Sequence, residues 1–310
     1  MLGSAATSKI LVTGDTGFLG RHLVEKLKEK GFEFYSSNTK KADLSNIENL
    51  HIYNSIRFKY IFHLAAVTKA GDYCMRHPGD QWVQNQTINT NILKYWKEHQ
   101  PQAKMICMGT SCSYSPGFHM KEENYLLGQP ESSLYTYAMT KRMLLLGLQS
   151  IGRQYGLKWL YFIPSTLYGP DFELDDNHFI FDFIRNCYNA KHHADEFVLW
   201  GDGNQRRELI YVDDAVDAMI NLLQEENQIF NLGSGMDYSI NEFAQTVCEL
   251  YDYDFNLVTH DLTKYVGVKE KKIDTEKVVK HLGEKGYNKT SLKDGLKRSI
   301  EYFIEANNGK

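Results

Sequence analysis

Apolar residues first gather in the unbroken run Ile10-Leu11-Val12 and then recur at helical spacing as Phe18, Leu19, Leu23 and Leu27. A short apolar run followed by a 3.6-residue period predicts a strand, a tight turn and an amphipathic helix. The alternation continues along the chain. Phe32-Glu33-Phe34-Tyr35, Tyr60 to Leu64 and Met105 to Met108 read as further strands, with long mixed helical segments between them. Strands alternating with helices predict an α/β fold, a doubly wound parallel sheet covered on both faces. Leu134 to Gln154 predicts a long helix, followed by a strand over Lys158 to Ile163 that Pro164 ends.

From about Asp171 the rhythm weakens. His178 to Ala190 predicts an aromatic helix, short strands fall near Trp200 and Ile210, and a helix is expected after Asp213-Asp214. The tail from Val258 onward is expected to add another lobe. There is no internal repeat and no linker rich in Pro, Gly or Ser, so a smaller lobe is expected to grow out of a larger one.

The 310 residues are 42% hydrophobic and 24% charged, which excludes a disordered chain. A formal charge of −4 gives no global attraction to nucleic acid or to an anionic bilayer, so any anion must be held locally. Five cysteines, Cys74, Cys107, Cys112, Cys187 and Cys248, contain no CxxC pair and suit neither a disulfide framework nor a zinc site. No metal is expected. Nothing approaches the roughly 20 apolar residues of a membrane span, and Met1 to Lys9 lacks the apolar core of a signal peptide. A cytoplasmic protein with no membrane partner is expected, its first residues fraying.

Gly14, Gly17 and Gly20 are spaced GxxGxxG where the first strand gives way to the first helix. Glycine there permits a tight turn and lets a pyrophosphate approach the backbone N–H groups of a positively polarised helix end. A carboxylate about 20 residues on would hold the ribose 2′-hydroxyl of NAD. That place reads Tyr35-Ser36-Ser37-Asn38, followed by Lys40 and Lys41. With no carboxylate to repel a 2′-phosphate and lysines to attract it, NADPH is expected in preference to NADH. The expected division is an NADP-binding Rossmann domain over 8–170, to which later segments return, and a mainly substrate-binding α/β lobe over 171–310.

Tyr137 and Lys141 form YxxxK within the long helix, preceded by Gly109-Thr110-Ser111-Cys112 at a strand end. Residues four apart share a helix face, and an ammonium near a phenol favours the phenolate. Tyr137 is therefore expected to titrate below its reference value of about 10 and to exchange a proton with a carbonyl oxygen that receives hydride. Thr110 and Ser111 place hydroxyls to hold that oxygen.

With both motifs in place the chain resembles an extended short-chain dehydrogenase/reductase, in particular the GDP-L-fucose synthase branch of that family. The matching stretches are His63-Leu64-Ala65-Ala66, Val83-Gln84-Asn85 with Asn91, Gly109 to Tyr114, Tyr137 to Lys141, Leu167-Tyr168-Gly169-Pro170, Trp200-Gly201-Asp202-Gly203 and Arg206 to Asp214. The resemblance implies that Tyr137 is the general acid, Lys141 its activator and ribose ligand, and Thr110 the third hydroxyl, with Ser111 beside it. Cys112 and His178 fall where that branch keeps an epimerisation pair. Trp200, Arg207, Arg185 and Lys271 fall where a GDP-sugar is gripped, although Lys269 to Lys272 also reads as a solvated charge cluster. The implied cofactor cradle comprises Gly14, Thr16, Gly17, Phe18, Leu19, Ser37, Asn38, Lys40, Asp43, Leu44, Leu64, Ala65, Ala66, Pro164 and Leu167 with Tyr137 and Lys141. The implied partners are a GDP-4-keto-6-deoxy sugar, hexose or heptose, and a second copy of the chain, paired through the long helices before and after Gly109 to Leu134.

Some positions depart from the branch. Thr110 stands where serine is usual, Asp15-Thr16 where a more basic pair is common, Ser165-Thr166 where Thr-Asn is expected, and Asn186 where a second arginine follows Arg185. An altered sugar is consistent with these changes. The expected activity is NADPH-dependent reduction at C4, with C3/C5 epimerisation alongside it. The enzymatic alternative is an NAD-retaining nucleotide-sugar 4,6-dehydratase or 4-epimerase; Ser111-Cys112 stands where a dehydratase carries Asp-Glu. The non-enzymatic alternative is an NADP-binding regulator, against which the intact tyrosine, lysine and hydroxyl set argues.

Overall fold

The computed structural model describes residues 8–68, 72–264, 266–283, 286–287 and 289–308. Met1 to Thr7, most of the expected fraying start, lies outside the described residues. β1 (Lys9–Thr13) leads through the glycine turn into α1 (Phe18–Glu29) and β2 (Glu33–Ser37), and β3 (Tyr60–His63) follows. The short α2 (Asp72–Arg76) and long α3 (Pro78–His99) precede β4 (Lys104–Met108), and α4 (Tyr135–Tyr155) precedes β5 (Trp159–Pro164). Then come β6 (Thr166–Tyr168), α5 (Phe179–His193), β7 (Val198–Trp200), β8 (Arg206–Tyr211), α6 (Val212–Asn221) and β9 (Gln228–Leu232). β10 (Asp237–Ser239), α7 (Ile240–Tyr251), β11 (Thr259–Asp261), β12 (Glu270–Lys271), α8 (Glu276–Leu282) and α9 (Leu292–Asn308) complete the chain.

Six strands pair in parallel in the order β2-β1-β3-β4-β5-β9, a doubly wound Rossmann-like sheet. Its apolar runs are unbroken because both faces are buried. Alternation sorts them. Leu11, Ile61, Met105 and Tyr161 meet Ile92 and Trp96 of α3 and Leu144 and Leu148 of α4 on one side. Ile10, Val12, Phe62, Ile106 and Phe162 meet Leu23 and Leu27 of α1 and Val216 and Met219 of α6 on the other. Each such side chain contributes roughly 1.5–3 kcal/mol through burial. The buried Trp96 indole also donates to the Ala103 carbonyl at 2.8 Å, so its one polar atom is satisfied.

A third core lies under α5, α7 and α9, where Phe181, Phe243, Val247, Leu296 and Phe303 pack together. β8 organises it by pairing with β6, β10 and β12. Three expectations need correcting. The tail from Val258 forms no lobe of its own: β11 pairs with β7, β12 with β8, Val278 of α8 packs under the large sheet, and α9 joins the third core. Its segments are too short to bury apolar surface alone. The helix expected after Asp213-Asp214 begins at Val212, so both aspartates sit in its first turn, where the helix dipole favours them. Pro164 is the last residue of β5 rather than the residue beyond it.

Candidate active site

Strand order reverses between β1 and β3, and such a reversal leaves a crevice at the carboxyl ends of the strands. A cavity of about 840 Å³ lies there. Gly14 has φ +70°, and a Cβ on it would lie 2.6 Å from the Ala65 nitrogen. A Cβ on Gly20 would lie 2.1 Å from the Gly14 carbonyl oxygen. Only hydrogen fits at either position, so the turn and α1 close tightly. Gly17 caps α1 without a side-chain acceptor, and the first turn carries no acidic residue. The orphan N–H groups of this twelve-residue helix therefore face the cavity with partial positive charge, which fits a dinucleotide pyrophosphate.

The motif residues after β3 shape the next wall. Buried His63 bonds Thr13 Oγ1 through Nδ1 and Asn89 Oδ1 through Nε2, both at 2.9 Å. Burial pushes its pKa down to about 4, so it is a neutral strut. Asn85 accepts from the Val67 N–H at 2.9 Å and donates to the Val67 carbonyl at 3.2 Å, holding the loop of Leu64, Ala65 and Ala66 against the cavity.

At the end of β2, Ser37 donates to the Ala42 carbonyl at 2.8 Å. Asn38 accepts from the backbone N–H groups of Lys40 and Lys41 at 3.1 and 3.2 Å and donates to Asp15 at 3.1 Å. A carboxylate therefore stands beside the end of β2 after all, delivered by the glycine turn rather than by the strand. Lys40 contributes its backbone here, and its side chain is off the cavity wall.

Thr110 caps the short 3-10 turn Ser111–Ser113, its Oγ1 accepting from the Cys112 N–H at 3.2 Å. Arg142 of α4 donates through Nε and Nη2 to the Ser113 carbonyl at 2.9 and 2.6 Å, and reaches the Leu127 and Gly128 carbonyls as well. Ser113 Oγ donates to the Ala138 carbonyl at 3.0 Å. The turn bearing Thr110, Ser111 and Cys112 is thus strapped to the helix bearing Tyr137 and Lys141, and the Thr110 side chain acts on the Tyr137 phenol in the direction that favours its ionisation.

The protonation state of that phenol departs from expectation. Burial raises Tyr137 above its ordinary value instead of Lys141 lowering it. The same burial pushes the Lys141 ammonium down to about 8. Desolvation opposes charge on both groups and is the largest influence on each. Tyr137 is accordingly a neutral phenol, the form a proton donor requires.

His178 precedes α5. Its Nδ1 meets Asp176 Oδ1 at 2.7 Å, and this carboxylate raises the imidazole above its ordinary value against the opposing effect of burial. Arg185 donates to the Leu174 and Asp176 carbonyls at 2.6 and 3.0 Å and pairs with Asp182, fixing that loop. Arg21 ties the same region to the glycine turn, donating to the Thr16 carbonyl at 2.5 Å, to Glu173 at 2.8 Å and to the Asp171 carbonyl.

All six catalytic candidates, Thr110, Ser111, Cys112, Tyr137, Lys141 and His178, line the one cavity. Every cofactor candidate except Lys40 lines it too, including Thr16, Phe18, Leu19, Asp43, Leu44, Pro164 and Leu167. The four substrate candidates do not. Arg185 is turned to its own loop, Arg207 donates to the Val266 and Val268 carbonyls at 2.8 Å, exposed Trp200 lies under Lys264, and Lys271 reaches the wall only through Cys112. Thr68, Thr87 and Asp176, which belong to none of the sequence motifs, also face the cavity, as do Gln84 and Ser165. Short polar residues carry little signal until a loop turns them inward.

A glycine turn at the crossover of a parallel sheet, beside a tyrosine, a lysine and a hydroxyl, defines an extended short-chain dehydrogenase/reductase. The chain belongs to the NAD dependent epimerase/dehydratase family, whose model matches residues 10–233. It is 29% identical to GDP-L-colitose synthase of Yersinia pseudotuberculosis, over 97% of this chain and 99% of that protein. It is 30% identical to GDP-L-fucose synthase 1 of Arabidopsis thaliana, over 97% of this chain and 95% of that one. The crystal structure of a GDP-L-fucose synthetase from Naegleria fowleri bound to NADP superposes with a TM-score of 0.88 at 23% identity, covering 98% of this chain and 95% of that one.

Proposed function

We propose that the protein reduces C4 of a GDP-4-keto-6-deoxy sugar with NADPH and inverts C3 or C5 in the same cavity. One observation carries this reading: the glycine turn, the Thr110, Tyr137 and Lys141 set, and the Cys112 and His178 pair share a single cavity. The relatives named as GDP-sugar synthases support the substrate class, and the NADP in the Naegleria structure supports the cofactor.

NADPH, held by the glycine turn and the Tyr137 to Lys141 face, would supply the hydride that the keto carbon takes up. Tyr137, kept protonated by desolvation, gives its proton to the developing alkoxide, and Thr110 steadies the phenol. Lys141 lies one helical turn from Tyr137, on the same face, where it would hold a ribose hydroxyl of the cofactor. A proton beside a ketone is acidic because the carbanion delocalises into the carbonyl. Cys112 takes such a proton from one face and His178, whose protonated form Asp176 favours against burial, returns one to the other.

Turnover in heavy water with NADPH and a GDP-4-keto-6-deoxy sugar tests this directly. Loss of cofactor absorbance and deuterium at C3 or C5 are expected in the parent, and Cys112→Ser is expected to retain reduction of a suitably configured ketosugar while losing the label. Deuterium that persists in the variant removes Cys112 from the mechanism; absence of cofactor oxidation in the parent removes the reductase.

The finer partner reading is a homodimer. Trp82 and Val83 of α3 and Met143 and Leu146 of α4 are exposed, an apolar surface on two packed helices that suits a second copy across a two-fold axis. Light scattering at micromolar concentration is expected to give twice the chain mass for the parent and the chain mass for Leu146→Glu. A parent of single-chain mass refutes the pairing. Among the described residues no helix is long and apolar enough to cross a membrane. The five cysteines are free, which suits a reducing cytoplasm.

A further inference from the structure

Lys271 closes the two-residue strand β12, whose register on β8 places it opposite Arg207. Its neighbour Lys272 turns the other way, to Asp237 at 3.4 Å. Lys271 turns inward, and its Nζ lies 3.0 Å from Cys112 Sγ. The fold fixes this approach from both ends. Arg207 clamps the preceding segment through the Val266 and Val268 carbonyls, and buried Glu208 accepts the Ile273 N–H at 2.9 Å just beyond. No carboxylate among the described residues pairs with the Lys271 ammonium. Lys271 from β12 and His178 before α5 act on the Cys112 thiol, Tyr137 on α4 and Cys74 on α2 are the other titratable groups coupled to it, and the Asp176 carboxylate of the same cavity is engaged by His178 at 2.7 Å.

We propose that Lys271 is a positioning residue for Cys112, standing as the counter-ion of a Cys112 thiolate in the ligand-free enzyme. The inference rests on the reading of Cys112 as the epimerisation base and gives that base its charge partner. A thiol is a base only once ionised, and burial alone would keep it protonated. The ammonium reverses that balance and holds Cys112 below its ordinary value, while Asp176 holds His178 above its own. The two shifts run in opposite directions, one favouring the thiolate and the other the imidazolium. Exchange at C3 or C5 falls as pH drops through the Cys112 value and as it rises through the His178 value.

Alkylation of the ligand-free enzyme by iodoacetamide, followed by mass spectrometry of the Cys112 peptide across pH 5.5 to 10, reads the thiolate directly. Cys112 is half-buried and the other four cysteines are buried, so it reacts first. The midpoint is expected below the ordinary thiol value of about 8.5 in the parent and at least one unit higher in Lys271→Met, which makes alkylation near neutrality about tenfold slower in the variant. Lys271→Arg is expected to keep the low midpoint. Coincident profiles for parent and folded Lys271→Met overturn the proposal, and so does a parent midpoint at the ordinary value, which needs no variant. A Lys271-dependent midpoint in an enzyme that admits no deuterium at C3 or C5 upholds the ion pair and overturns the epimerase reading alone.

Discussion

Tyr137→Phe is expected to slow C4 reduction by about 10²–10⁴-fold, the range that a positioned general acid contributes, while NADPH affinity stays close to that of the parent. The ring is half-buried on α4 at the cavity wall near Thr110, and phenylalanine fills the same space without the transferable proton. Because burial keeps the phenol neutral, the loss should be nearly constant across neutral pH. Lys141→Met should differ in kind. Lys141 shares the cavity wall with Tyr137 and, at a value near 8, is partly uncharged in weakly alkaline solution, so its loss should weaken cofactor binding as well as turnover. Single-turnover rates and a fluorescence titration of NADPH separate the two effects. A Tyr137→Phe enzyme that reduces at the parent's rate means that another group supplies the proton.

Gly20→Ala is expected to reduce dinucleotide affinity by about two orders of magnitude, the loss of one or two charge-assisted hydrogen bonds, and to cost about 1–3 kcal/mol of stability through overpacking. The added methyl would sit 2.1 Å from the Gly14 oxygen and 2.8 Å from Asp15 Cα, both backbone, so the turn itself must shift. Moving the turn re-aims the orphan N–H groups at the start of α1. Gly79→Ala is the control: its Cβ meets nothing within 4 Å, and neither affinity nor melting temperature should change. Thermal unfolding and NADPH titration of both variants measure the difference. Parent-like affinity in Gly20→Ala would show that the phosphate groups are held elsewhere.

The glycine turn, the sheet and the Tyr137 to Lys141 face are legible in the sequence because each depends on local spacing. Gly14 to Gly20 spans one strand–helix junction, and residues four apart on a helix share a face wherever that helix packs. What escapes depends on distant pairs. Asp15 reaches Asn38 because the turn folds back on β2, and no spacing within either segment announces it. Lys271 lies 159 positions from Cys112 and reads as one lysine in a charged run until β12 pairs with β8. Arg185 and Arg207 look like anion ligands by residue type, yet in the fold both bind backbone carbonyls. The state of Tyr137 follows from burial, a property of the assembled cavity rather than of the motif.

The return of β9 to the edge of β5 bears on how this chain can be divided. Phe230 and Leu232 complete the core between the sheet and α6, so a fragment ending near residue 170 would leave an uncovered strand carrying Leu160, Phe162 and unpaired backbone groups. Such an edge templates pairing with another molecule. A truncated first half would therefore tend to aggregate instead of folding as a free nucleotide-binding unit. A single proteolytic nick in an exposed connection would leave two pieces that travel together, and a functional split protein would need its halves joined through this same seam.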